Sequence, residues 1–86
     1  MKHYCYLVEY SFDNTRTIKG PKTSKEEMWA QMVADAKEEY RIDTEENQYK
    51  SVLTIDKENE IIVLVTPSTY IEGGTITTWT LFEMED

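Results

Sequence analysis

Residues Ser24–Arg41, SKEEMWAQMVADAKEEYR, carry the chain's clearest helical period. Ser24 followed by Glu27 forms a capping box, in which side chain and backbone satisfy donors that a helix start leaves open. At 100° per residue, Met28, Trp29, Met32, Val33, Ala36 and Tyr40 fall in one apolar stripe, while Glu27, Gln31, Ala34, Glu38 and Arg41 face the other way. Such a helix lies on an apolar surface with one side and shows water the other.

That surface has to come from the flanking segments. Upstream, residues 3–12 (HYCYLVEYSF) are aromatic and β-branched and read as a strand. Its even positions, Tyr4 to Phe12, make one face, and His3, Cys5, Leu7, Glu9 and Ser11 make the other. Asp13-Asn14-Thr15 signals a turn, Arg16–Lys19 can return as a short edge strand, and Gly20-Pro21 reads as a break into a loop. Downstream, Asp43–Gln48 reads as an acidic linker. Tyr49–Asp56 and Glu60–Thr66 read as a β-hairpin, Pro67–Gly74 as a long connection or flap, and Thr75–Met84 as a last strand. The order β-(β)-α-β-β-β, with short connections, predicts a two-layer α+β sandwich: an antiparallel sheet of about four or five strands with one amphipathic helix on one face. Residues 1–86 are then a single small acidic domain, with the other sheet face open to water or to a partner.

Charge narrows the function. Residues 1–22 hold four basic and two acidic side chains, and the remainder hold five basic and fifteen acidic, for a net −8. That balance opposes nucleic acid and anionic membrane and favours a basic partner protein. A hydrophobic content of 40%, with two Trp, six Tyr and two Phe, calls for a folded domain despite the charge. The single cysteine rules out an internal disulfide and points to a reducing compartment. The longest apolar run, Ile61–Val65, is far short of the roughly 20 residues that span a bilayer. With Glu9 interrupting the apolar start, no secretory signal pattern is visible, and a cytoplasmic location is expected.

Motifs for chemistry are weak. His3, Cys5 and Glu9 share a strand side and contain the minimum for a thiol nucleophile, yet no glycine-bearing turn or helix start activates the thiol, so Cys5 reads as a small hydrophobe. Asp56-x-Glu58-x-Glu60 could face a hard cation but lacks the central glycine and distal bidentate acid of a calcium loop, so it reads as a solvated hairpin tip. Gly73-Gly74 reads as a strand entry rather than a phosphate cradle, since no helix follows. The aromatic strand face could stack bases, but without basic residues around it core packing is the plainer reading. Neither an enzyme nor a metal or other cofactor is expected.

The expectation is a non-enzymatic protein-binding module. Glu27, Asp35, Glu38, Asp43, Glu45 and Glu46 would steer a basic partner protein, and Trp79, placed on the open sheet face, would supply a desolvated anchor. Two alternatives accompany it. One is a homodimer that pairs through the open face or an edge strand. The other is an imitation of DNA. The helix acids fall roughly every 4 to 5 Å, sparser than the ~1.7 Å per charge of duplex DNA, and Lys37 and Arg41 interrupt them. In size, acidity, Tyr and Trp content and sheet-plus-helix plan, the chain resembles accessory proteins of bacteriophages and mobile elements, including inhibitors of host defence; that likeness covers no specific motif.

Overall fold

Aromatic and β-branched residues put Lys2–Tyr10 into strand β1, and the Asp13-Asn14 turn reverses the chain into β2, Thr15–Lys22. Asp13 Oδ1 accepts from the backbone N–H and hydroxyl of Thr15, and Asn14 takes the left-handed conformation (φ 58°) that the turn demands. The computed structural model describes residues 1–67 and 74–85. Helix α1, Lys25–Arg41, follows and runs into a π-helical turn, Ile42–Glu46; strands β3 (Val52–Asp56), β4 (Ile61–Thr66) and β5 (Thr75–Glu85) complete the chain. The strands form one antiparallel sheet in the order β2-β1-β5-β4-β3, with α1 on one face. The expected two-layer α+β sandwich is therefore the fold.

The stripe read from the sequence is the one that packs. Met28, Met32 and Ala36 are buried against Tyr6, Val8, Ile62, Leu64, Trp79 and Leu81, with Tyr4, Tyr10, Trp29, Val33 and Leu53 partly buried around them. Cross-strand neighbours Val8–Trp79–Ile62 and Tyr6–Leu81 form the floor on which the helix rests. Ser24 Oγ accepts from the Glu27 backbone N–H, as the capping box requires, and Lys25 Nζ meets Glu60 Oε2 at 3.0 Å, joining the helix start to the β3–β4 hairpin.

Two segments depart from expectation. Gly20-Pro21 does not break the chain; it lies inside β2, which runs to Lys22. The register slips there, Tyr4 facing Lys22 while Tyr6 faces Lys19, so β2 carries one extra residue as a bulge. A glycine serves at this point because its φ is 121° and an added Cβ would come within 3.0 Å of the Tyr4 carbonyl. The second is Asp43–Gln48, read as a linker. Ile42–Glu46 instead continues the helix with a widened turn, closed by the Asn47 N–H on the Ile42 carbonyl. The flap read at Pro67–Gly74 falls mainly on residues 68–73, outside the described residues. Among the described residues, no helix is long and apolar enough to cross a membrane.

Candidate functional site

The C-terminal half of α1 sets three carboxylates in a row. Asp35, Glu39 and Asp43 recur every fourth residue, which places them on one flank of a helix, here the margin between the buried stripe and water. All three are half-buried. The Tyr6 hydroxyl, rising from the sheet, donates to Asp35 Oδ2, and desolvation pushes the Asp35 carboxyl above its usual range. Glu39 is pushed up as well, first by burial and then by the negative charges of Asp43, Glu38 and Asp35. Asp43 Oδ2 accepts from Thr66 Oγ1 (2.9 Å) and from Ser51 Oγ (3.3 Å), two buried hydroxyls that themselves meet at 2.9 Å, so the helix extension is fastened to the ends of β3 and β4.

Beneath this row the sheet leaves room. A cavity of about 210 Å³ is lined by Val8, Tyr10, Lys19, Asp35, Glu38, Glu39 and Trp79. A second, of about 240 Å³, shares Tyr10 and Glu39 and continues past Phe12 and Asp43 to Thr75–Thr77. Together they form a groove with an acidic wall from the helix and an aromatic floor from β1. Tyr10 is half-buried, and its hydroxyl is held in the neutral form, first by desolvation and then by the negative charges of Glu39 and Asp13. Lys19 reaches the groove from β2, but among the described residues it makes no ion pair with the acids. Carboxylates beside an aromatic face form a setting for a guanidinium or ammonium group, through charge and cation–π attraction together.

The remaining acids read from the sequence lie elsewhere. Glu38 does line the groove, but its carboxylate is gripped by Arg41 at 2.7 and 3.0 Å. Arg41 also reaches Glu46 at 3.3 Å and Glu45 at 3.6 Å, so one guanidinium partly neutralises three of the expected steering charges. Those contacts hold the Glu38 carboxyl below its ordinary range and Arg41 above its own. Glu27 stands in the first helical turn, about 18 Å along the axis from Glu39. Trp79 is not on the open face: it is 1% exposed and sits under the helix, because its register with Val8 and Ile62 puts it on the covered side. Glu39 and Tyr10, absent from the expected set, are central to the groove; the four-residue spacing of Asp35, Glu39 and Asp43 was the available signal.

Other candidates are accounted for locally. Cys5 is buried on the sheet face away from the helix, its thiol directed at the Met84 sulfur (3.6 Å), while Glu9 pairs with Arg16 at 3.2 Å. At the hairpin tip Asp56 accepts from the Asn59 backbone and side-chain amides, which hold its carboxyl low. Among the described residues, no three His, Cys, Asp or Glu side chains gather as a metal-binding group. A hollow of about 550 Å³ lies at the helix start, where two lysines and three glutamates surround Trp29 and present no single charge sign.

Comparison with protein-family models, with curated proteins and with solved structures finds no match to this chain.

Proposed function

We propose that this protein is a non-enzymatic binding module that takes a basic segment of a partner protein into the groove between the C-terminal half of α1 and strand β1. The observation that carries the reading is Glu39. It stands half-buried between Asp35 and Asp43, with no Lys or Arg paired to it among the described residues. Like charges four apart on a helix each cost about 0.2–0.5 kcal/mol, and the negative end of the helix dipole lies here too. An incoming arginine or lysine relieves both and rests its stem on Tyr10. The size and acidity of the chain suit an accessory or inhibitory protein that works by contact.

The test uses a fluorescein-labelled oligo-arginine peptide and its anisotropy at low salt. Glu39→Lys is compared with Glu58→Lys, which changes charge equally at the opposite end of the molecule. Glu39→Lys weakens binding by about 10-fold or more, and Glu58→Lys by about 2-fold at most, because close charge pairs act locally whereas net charge acts diffusely. Equal losses in the two variants reduce the effect to net charge and defeat the groove.

A further inference from the structure

The sheet face turned away from the helix carries the second inference, which is independent of the groove. Strand alternation assigns to it Ile18 of β2, Leu7 of β1, Phe82 of β5, Val63 and Val65 of β4 and Val52 of β3. Two rows on this face are largely apolar, Ile18–Leu7–Thr80–Ile61 and Ile76–Val65–Val52, and the row between them runs Arg16–Glu9–Thr78–Val63–Thr54. Ile18 is 64% exposed and Val52 59%, so the apolar surface extends to both edge strands.

Charge identifies the occupant. The strand positions on this face contribute one Arg, one Glu and one Asp, and Arg16 and Glu9 pair with each other, leaving one net negative charge of the eight. A basic partner finds nothing to attract it here. A second copy of this chain finds what it needs, a face free of its own repulsion. With sheets packed about 10 Å apart and a helix layer of about 10 Å behind each, the acidic helices of two copies stand about 30 Å apart. That is several times the Debye length of ~8 Å at physiological salt. Five strands at about 4.8 Å, averaging about eight residues at 3.3 Å each, give about 600 Å² per copy. Two copies then cover about 1,200 Å², the lower bound for specific interfaces.

We infer that two copies pack through these faces as a symmetric dimer, helices outward, with the central strand β5 of each against that of the other. Sedimentation equilibrium at protein concentrations up to about 1 mM, which reveals dimers as weak as about −4 kcal/mol, reads it directly. The expected mass is twice the 10.1 kDa of the chain. It persists in about 1 M salt, where surface charge is screened to ~3 Å. Val63→Lys, beside the central strand β5, raises the dissociation constant about 100-fold or more, since it buries an unpaired charge. Should that variant misfold, Ile18→Lys with Val52→Lys, at two exposed positions, serves the same purpose. Glu39→Lys leaves the dimer intact, which separates this face from the groove. A strict monomer at the highest concentration overturns the inference. So does a dimer that survives the face variants but is lost in Ile55→Pro, at a position whose N–H points off the free edge of β3.

Discussion

Glu39 shows how one side chain can cost the fold something and serve a surface. Desolvation and three neighbouring acids raise its folded carboxyl above the ordinary 4.5. A raised carboxyl means that the native state binds its proton more tightly than the unfolded chain does. The associated stability is complete below the unfolded value and is lost as pH climbs through the folded one. Glu39→Gln therefore stabilises the protein at pH 7 by about 0.4–1 kcal/mol, the relief of two like-charge pairs. The gain fades as the pH falls and is lost below the ordinary 4.5, where wild-type Glu39 becomes protonated in both states. Urea denaturation of both proteins at pH 7 and pH 4 checks it; a gain of equal size at both pH values would show that the carboxylate's charge is not its source. The row was legible in part: Asp35 and Asp43 stand out as acids, but only packing shows that Glu39, rather than Glu38, is left without a cation among the described residues.

At the scale of elements, the helix and strands follow from local pattern, and the joints do not. The capping box at Ser24, the stripe Met28–Met32–Ala36 and the alternation of β1 are properties of adjacent residues, so they read directly from the chain. The bulge at Gly20 and the helical continuation through Ile42–Glu46 answer to distant partners: the Tyr4 carbonyl in one case, Ser51 and Thr66 in the other. Gly74 is a joint of the same kind. Its φ is 76°, and a Cβ there would meet the Thr66 carbonyl oxygen and come within 2.9 Å of Pro67 Cα, where β4 leaves the sheet beside the start of β5. Gly74→Ala consequently destabilises the protein by about 2 kcal/mol or more, from a left-handed backbone and a backbone clash combined. Thermal denaturation followed by circular dichroism measures the loss, and an unchanged midpoint would contradict the crowding.

For the whole molecule, the sheet divides the charge: acids and the groove on the helix side, an almost neutral apolar face behind. Trp79 lies on the side that makes the core. Trp79→Ala opens a cavity beneath Met28 and Met32 and costs about 3–5 kcal/mol. For a domain of this size that is close to the total stability, on the order of 5 kcal/mol. Guanidinium titration of the variant shows a lost or severely shifted transition. A surface anchor would behave in the opposite way, weakening binding while leaving the transition in place.

The elements, their order and the apolar stripe of the helix follow from local pattern in the chain, because hydrophobic period and capping act within a few residues. The acidity and its concentration beyond residue 22 are likewise properties of the chain alone. Which face of the sheet the helix covers was a choice made by packing, since both faces of β1 hold apolar residues and alternation alone does not rank them. That choice buried Trp79 and left Ile18, Val63 and Val52 on the uncovered side. It also decided which acids are spent: Arg41 reaches Glu45 and Glu46 because the chain stays helical past residue 41, and Glu39 is left facing the groove. The reason is range, for pairing between charges depends on where the backbone carries them, and that path is set by the packing of the whole chain.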